Sequence, residues 1–411
     1  MDLLLTNIGT LATPVGRLAQ KGHAQGQIST IENAVIGVKD GKIAYVGSGD
    51  DIGSDGVDKT TKVIDCGGKL VTPGLVDSHT HLVFGGWRQK ELPLKLAGVP
   101  YLDILKSGDG ILNTVKQTRS TSESDLFNKG KKLLAEMLQF GTTTCEAKSG
   151  YGLSVKEELK QLRVAKTLNK NQPIDIVSTF MGAHAVPNEY ADNRSGYIDL
   201  IINDMLPAVA SEKLAEFCDV FCESTVFTPQ ESFRILTEAK KHGMTPKMHA
   251  DEINPIGGAE TAAKLGAISA EHLIQASDEG IRALADKNVV AVLLPATSFY
   301  LDKPYARARD MINENVAVAV ATDFNPGSSP SVNIQLAMNL ACLKYKMTPA
   351  EVLTAVTLNG AAAINRADSC GSIEVGKQAD IVLWNAYDLD YIFYRFGSNL
   401  VDMVVKNGKV V

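Results

Sequence analysis

The chain has 411 residues, of which 45% are hydrophobic, so it is long enough for two or three domains with a large core. Its net charge of −6 gives no basic surface for nucleic acid, and no apolar run reaches the roughly 18 residues that a membrane helix needs. We therefore expect no nucleic-acid or membrane partner. Six scattered cysteines, with no basic and apolar leader at the N-terminus, are typical of a cytoplasmic protein with free thiols.

Both ends of the chain are rich in predicted strands. Apolar residues flank Asp40-Gly41 near the N-terminus and Asn407-Gly408 near the C-terminus, and both dipeptides favour tight hairpin turns. Neither end alone holds enough strands to be stable. We therefore predict one small discontinuous β-sandwich domain built from residues 1–67 and 367–411.

The middle of the chain, residues 68–366, alternates strand-like and helix-like stretches. Residues 70–76 are apolar and β-branched and are predicted to be one buried strand. Further strands are predicted at 142–146, 174–180, 214–222, 245–248, 267–271, 289–294 and 316–322. Helices are predicted at 124–140, 155–168, 229–242 and 257–265. This alternation predicts an α/β fold, a (β/α)8 TIM-like barrel that is the catalytic domain.

Histidines cluster at the ends of the predicted barrel strands. His79 and His81 follow the first strand, and alternate residues of an extended segment point the same way. Of the seven histidines, five occupy such ends, the others there being His184, His249 and His272, and Asp323 follows the last strand. A barrel brings all these positions to its C-terminal rim, where active sites lie.

The rim residues are typical ligands of a catalytic metal. His79, His81, His249 and Asp323 offer nitrogen and oxygen atoms to a zinc-like or iron-like ion, which lowers the pKa of bound water toward about 7. Glu252 follows His249 by one helical turn and can move protons to or from that water. The alternative for Glu252 is a charge that stabilises a helix N-terminus.

Two other metal sites are conceivable from the sequence. Lys148 follows a short predicted strand, and a carbamylated lysine at the rim could bridge two metals. Its neighbours, residues 149–152, have the composition of a substrate loop instead. Cys218 and Cys222 could form a metal pair, but they lie in an apolar strand-like run and are better explained as small core residues.

These residues resemble the amidohydrolase superfamily and, more narrowly, its imidazolonepropionase family. The resemblance covers nearly the whole chain, with matching segments at 72–81, 85–88, 146–153, 182–187, 249–252, 270–273 and 321–328. The HxH and HxxE patterns are shared with deaminases of the superfamily. The KSGYGL and TDFNPGSSP stretches are much more specific.

The resemblance implies a reaction, a cofactor and a set of residues. It implies ring opening of 4-imidazolone-5-propanoate to N-formimidoyl-L-glutamate by a homodimer. Each subunit is expected to hold one Zn2+ or Fe3+ ion. The expected metal ligands are His79, His81, His249 and Asp323, and the expected catalytic residues are Glu252, His272 and Asp323. The expected substrate-binding residues are Arg88, Tyr151, His184, Glu252, Asn325, Gly327 and Ser328.

Physical reasoning about the same residues agrees with these roles. His272 can polarise a carbonyl oxygen. Arg88 can bind the propionate of the substrate through a bidentate fork, unless it is a surface arginine. Tyr151, between two glycines, can approach a planar ring or can simply pack its loop. Residues 325–328 can present backbone amides and a hydroxyl to the substrate, or can form a plain turn.

Three hypotheses for function remain open from the sequence. The first is hydrolysis of a cyclic amide by metal-activated water, with Glu252 and Asp323 moving protons. The second is deamination of a nucleobase-like ring by the same residues, which would release ammonia. The third is a non-catalytic assembly protein, which would be inert and free of metal when purified.

Overall fold

Two sheets organise the computed structural model, which describes residues 1–48, 59–99 and 109–411. The strands of these ranges are β1 (Leu3–Thr13), β2 (Ser29–Lys39), β3 (Lys42–Ser48), β4 (Lys62–Asp65), β5 (Leu70–Pro73), β6 (Leu75–Asp77), β7 (Thr142–Lys148), β8 (Asp175–Ala183), β9 (Phe217–Cys222), β10 (Thr245–Ala250), β11 (Ser269–His272), β12 (Val290–Leu293), β13 (Val318–Val320), β14 (Ile381–Trp384), β15 (Val401–Lys406) and β16 (Lys409–Val410).

Helices connect most strands of the central region. The α-helices of the described ranges are Leu92–Leu96, Ile111–Ser120, Glu123–Gln139, Val155–Asn171, Arg194–Leu200, Leu206–Glu212, Pro229–Lys241, Gly258–Leu265, Asp278–Lys287, Pro295–Tyr300, Ala308–Asn313, Ile334–Tyr345, Pro349–Ala355, Leu358–Ala363 and Leu389–Tyr394. Three of the four predicted helices begin at a serine or threonine N-cap, and the fourth begins after Gly257, which has no side chain to cap it. Ser122, Ser154 and Thr228 each accept a backbone N–H of the following helix as N-cap residues. Among the described helices, none combines the length and apolar character required to cross a membrane.

The predicted (β/α)8 barrel is confirmed. Strands β6 to β13 pair in chain order in one parallel sheet. The first and last strands meet where the Asp77 carboxylate accepts hydrogen bonds from the backbone N–H and hydroxyl of Thr322, at 3.0 and 2.6 Å. A parallel bridge between Thr80 and Phe324 extends this closure. The ends of all eight strands therefore face a common rim.

The second sheet joins the two ends of the chain. Its order is β16-β15-β14-β5-β1-β2-β3, with β4 beside β1, and it has its own core of apolar residues from both termini. Both predicted hairpins form, and Asp40-Gly41 and Asn407-Gly408 have the positive φ angles of a type I′ turn. The exact domain limits of 1–67 and 367–411 stay a prediction, since β5 also belongs to this sheet.

The prediction of one strand over residues 70–76 is wrong. β5 pairs with β1 and β14 in the terminal sheet, whereas β6 pairs with β7 in the barrel. Pro73 lacks an N–H, and Gly74 packs so closely on Thr143 that a Cβ at Gly74 would lie 2.3 Å from the threonine hydroxyl. The chain therefore changes sheets at Pro73-Gly74.

Candidate active site

The residues predicted as metal ligands converge at the barrel rim. His79 and His81 follow β6, His249 lies near the end of β10, and Asp323 follows β13. The Nε2 atoms of His79 and His81 lie 3.4 and 3.8 Å from Oδ1 of Asp323. The His249 ring centroid lies 4.7 Å from that of His79 and 5.6 Å from that of His81. All four side chains are buried.

Unpartnered nitrogen atoms make this cluster suitable for a cation. Both ring nitrogens of His79 and Nδ1 of His81 and His272 are buried without a hydrogen-bond partner among the described residues. Leaving such groups unpaired costs about 1–3 kcal/mol each, so a ligand is needed to compensate. Burial holds the pKa of His79 and His81 well below the ordinary value, which keeps both rings neutral and able to donate a lone pair. The set fits a divalent metal ion.

A hydrogen bond to the second carboxylate oxygen of Asp323 fixes the orientation of its side chain. Its Oδ2 accepts a hydrogen bond of 2.6 Å from the Thr297 hydroxyl, which leaves Oδ1 directed at the two histidines. Its backbone is left-handed, with φ of +52°, a conformation that aspartate and asparagine adopt more readily than most other residues. Burial raises the pKa of Asp323 to about 6.

Glu252 and His272 lie beside the ligand cluster. Glu252 Oε2 is 3.5 Å from His272 Nε2, and the His272 ring centroid is 5.6 Å from that of His79. Burial, followed by the charge of Asp323, raises the pKa of Glu252 to about 8. A carboxyl group with a pKa near neutrality can both take and give a proton. The turn after Glu252 is held by Glu223, which accepts the N–H groups of Ile253 and Asn254.

Tyr151 and His184 form an aromatic wall next to His81. The His184 ring stacks on that of His81 at a centroid distance of 4.8 Å, and the Tyr151 ring lies 5.2 Å from His184. His184 Nδ1 is 3.1 Å from the carbonyl oxygen of Gly150. Both rings therefore lie next to His81, one of the predicted metal ligands, with the Tyr151 ring 5.7 Å from that of His81.

The Arg88 guanidinium forms a bidentate ion pair with Glu91. Its Nε and Nη2 atoms donate to the two carboxylate oxygens of Glu91, each at 2.7 Å. Its Nη1 lies against Gly327, where an added Cβ would approach it to 2.1 Å. Arg88 thus lies next to the turn at 325–328 that is predicted to bind substrate. The Nε and Nη2 edge of its guanidinium, which could bind a propionate, binds the Glu91 carboxylate in this structure.

Residues 325–328 form an internally bonded turn. The Asn325 side-chain oxygen accepts the N–H groups of Gly327 and Ser328, each at 2.8 Å, and its amide nitrogen donates to the Ser328 hydroxyl. The predicted backbone donors are therefore satisfied within the turn. Their proposed role in binding substrate rests on the surface that the turn presents next to Arg88.

Lys148 is a poor candidate for carbamylation. Its Nζ is buried and lies 2.6 Å from Asp219 and 2.9 Å from Glu146. Although burial alone would lower its pKa, these carboxylates raise the pKa far above the usual value. A protonated amine cannot attack carbon dioxide, so the structure favours one metal ion over two. The cysteines are free thiols, and Cys218 and Cys222 are both buried.

Several carboxylates that support these side chains were not predicted from the sequence. Asp219 contacts His249, Glu158 accepts three N–H groups of the Tyr151 loop, and Glu91 binds Arg88. One signal was available: charged residues alternate in strands that are otherwise buried, as with Glu146 and Lys148 in β7 and Lys247 and His249 in β10. Such alternation places charges on one face of a strand, inside the barrel.

Relatives of known name match the chain over its full length. A protein of Bacillus cytotoxicus named imidazolonepropionase is 53% identical over 414 residues, covering 100% of this chain and 96% of the relative. A protein of Alkaliphilus metalliredigens with the same name is 52% identical over 413 residues, covering 100% of this chain and 98% of the relative.

Solved structures share the architecture at low sequence identity. An adenosine deaminase from Xanthomonas campestris with bound zinc is 20% identical, with a TM-score of 0.72, covering 100% of this chain and 92% of the other. A guanine deaminase of E. coli is 16% identical, with a TM-score of 0.74, covering 99% and 98%. At these identities the likeness supports the fold alone. The family described as "Amidohydrolase family" matches residues 70–411. The chain belongs to the amidohydrolase family and, within it, to the imidazolonepropionases.

Proposed function

We propose that this enzyme hydrolyses 4-imidazolone-5-propanoate to N-formimidoyl-L-glutamate in histidine degradation. The observation that carries the proposal is the buried convergence of His79, His81, His249 and Asp323 beside Glu252 and His272. The names of relatives at 52% and 53% identity support this substrate over a nucleobase. The HxH, HxxE, histidine and aspartate set alone would also suit a deaminase.

The proposed cofactor is one metal ion per subunit, Zn2+ or Fe3+, held by His79, His81, His249 and Asp323. When bound, such an ion lowers the pKa of water to about 7 and polarises a carbonyl oxygen. Hydrolysis adds water to the ring carbonyl carbon and breaks the adjacent C–N bond. One proton must leave the water and one must reach the departing nitrogen.

We propose that Glu252 transfers these protons and that His272 stabilises the charge that develops on the carbonyl oxygen. The Glu252 carboxylate accepts the proton of the water and delivers it to the ring nitrogen, assisted by Asp323. Burial holds the pKa of His272 well below the ordinary value, so its ring is neutral and can donate one hydrogen bond to the carbonyl oxygen. Tyr151 and His184 would cover the planar ring, and Arg88, Asn325, Gly327 and Ser328 would bind the propionate end.

We also propose that the enzyme is a homodimer located in the cytoplasm. Large apolar side chains near the C-terminus are exposed, among them Tyr387, Tyr394 and Phe396, and would be covered in such a dimer if they form its interface. Sedimentation of the purified protein tests this state, and a monomer at all concentrations would refute it.

Loss of the imidazolone chromophore tests the activity. We expect the purified, zinc-loaded protein to remove the absorbance of 4-imidazolone-5-propanoate without releasing ammonia. Ammonia release from a purine or pyrimidine would favour the deaminase instead. An inert protein that contains no metal would favour the non-catalytic hypothesis.

The metal assignment has a separate test. His249→Ala removes one ligand and should lose most of the bound metal together with activity. Elemental analysis that found full metal occupancy in this variant would refute the ligand set.

A further inference from the structure

Asp219 contacts His249, one of the proposed metal ligands. It belongs to β9, and its side chain is completely buried. Oδ1 accepts the backbone N–H of His249 at 3.1 Å, and Oδ2 lies 3.0 Å from Nδ1 of the His249 ring. Both the backbone and the ring of one proposed ligand are therefore bound by a single carboxylate on the adjacent strand.

This contact selects one tautomer of His249. An ionised carboxylate only accepts hydrogen bonds, so Nδ1 must carry the proton. Nε2 then keeps its lone pair, and the ring approaches His79 and His81. In proteins, a carboxylate behind a metal-bound histidine fixes the ring and raises its basicity.

The Lys148 ammonium stabilises the ionised form of Asp219, which can only accept hydrogen bonds. Its Nζ is 2.6 Å from Oδ2 of Asp219, the same oxygen that faces His249, and 2.9 Å from Glu146. Glu146 in turn contacts Lys247 at 2.8 Å. These side chains are all buried, so a carboxylate without this cation would carry a large desolvation cost.

We propose that Asp219 is a positioning residue, which holds His249 with its proton on Nδ1, and that Lys148 is the internal cation that supports it. The inference rests on the proposed role of His249 as a metal ligand. It assigns to the buried lysine a supporting role in a site for one metal ion.

The decisive variant is Asp219→Asn. In either orientation of the new amide, its NH2 group faces a donor, either the His249 backbone N–H or the Lys148 ammonium. If the amide nitrogen faces Nδ1 of the His249 ring, Nδ1 must accept a hydrogen bond. The ring then carries its proton on Nε2 and cannot bind metal through that atom. We expect the affinity for Zn2+, measured by chelator competition with the zinc-loaded protein, to fall about 10–100-fold.

Glu146→Gln is the matched control. Glu146 is equally buried and also contacts Lys148, but its other partners are Lys247 and Thr179. The control removes one buried negative charge and leaves the Asp219–His249 contact in place. We expect it to change zinc affinity much less than Asp219→Asn. Equal losses in both variants would mean that buried charge, and not the His249 tautomer, sets the affinity.

Nitrogen NMR of the wild-type protein keeps the test independent of folding in the variants. In full-length, zinc-loaded protein with 15N-labelled histidine, His249 should show a proton on Nδ1 and none on Nε2. A proton on Nε2 would overturn the inference. If His249→Ala kept its zinc, the proposed metal site itself would be wrong. Loss of zinc in His249→Ala with unchanged affinity in Asp219→Asn would refute only the role of Asp219.

Discussion

Glu252 is the residue whose surroundings best match proton transfer. Its carboxyl group is 3.5 Å from His272, and burial raises its pKa to about 8. Glu252→Gln keeps the shape and removes the base, so we expect turnover to fall about 10²–10⁴-fold. Metal content measured on the same samples should stay at the wild-type value. Turnover close to that of the wild type would assign the proton to another group.

Arg88 is predicted to set the preference for a substrate with a carboxylate. A charge-assisted hydrogen bond contributes about 1.5–3 kcal/mol, or roughly 10- to 150-fold in binding. We expect Arg88→Met to lower kcat/KM by at least this factor for 4-imidazolone-5-propanoate. The loss should be much smaller for an analogue without the propionate. Because Arg88 also binds Glu91, an equal loss on both substrates would mean that Arg88 supports its loop and does not contact the propionate.

At the residue scale, the convergence of the proposed ligands was predictable from the sequence, but the contacts that support these side chains were not. His79, His81, His249 and Asp323 lie at or just after the ends of barrel strands, and the barrel brings such positions together whatever the intervening sequence. Asp219 supports a histidine 30 positions away, and only the register between β9 and β10 brings the two together. A single sequence contains no direct signal of that register.

Among the structural elements, the loop that carries Tyr151 depends on one buried carboxylate. Glu158, in the first turns of the helix Val155–Asn171, accepts the N–H groups of Gly150, Gly152 and Leu153 at 3.1, 2.8 and 2.8 Å. A glutamine there keeps one acceptor oxygen and turns an NH2 group toward a backbone donor. Leaving a buried donor unpaired costs about 1–3 kcal/mol.

We expect Glu158→Gln to destabilise the protein by about 1–3 kcal/mol in equilibrium denaturation and to raise KM more than it lowers kcat. Glu212→Gln is the control, because Glu212 pairs with Arg163 of this helix at the surface, where an ion pair contributes only about 0–1 kcal/mol. If the two variants had equal KM and stability, the carboxylate would not organise the loop.

Element boundaries show where local sequence is insufficient. The helices Glu123–Gln139, Val155–Asn171 and Pro229–Lys241 begin at serine or threonine caps, which act within a few residues of sequence. The division of residues 70–76 between two sheets depends on remote partners, because β5 pairs with β14, more than 300 residues later. Hydrophobic pattern alone made the two strands look like one, although Pro73-Gly74 was a visible sign of the break.

At the scale of the whole molecule, the ion pairs of a buried lysine connect the terminal sheet to the barrel. Lys406, in β15 of the terminal sheet, is buried and lies 2.6 Å from Asp175 and 2.7 Å from Asp380. Asp175 is the first residue of barrel strand β8, so this contact is at the opposite end of the barrel from the active site. The contact therefore affects how the sheets are joined and not the chemistry.

Lys406→Met tests this connection between the sheets. The variant would leave Asp380 as a buried carboxylate without its cation, and removing one partner of a buried pair typically costs about 3–5 kcal/mol. We expect a loss of that size in the free energy of unfolding by urea, with kcat/KM of the folded protein unchanged. Lys69→Met is the control, because Lys69 contacts Asp402 at the surface, where removal should cost no more than about 1 kcal/mol. Equal, small losses in both variants would mean that apolar packing alone joins the terminal sheet to the barrel. A fall in kcat/KM with unchanged stability would instead connect this end of the barrel to the rim.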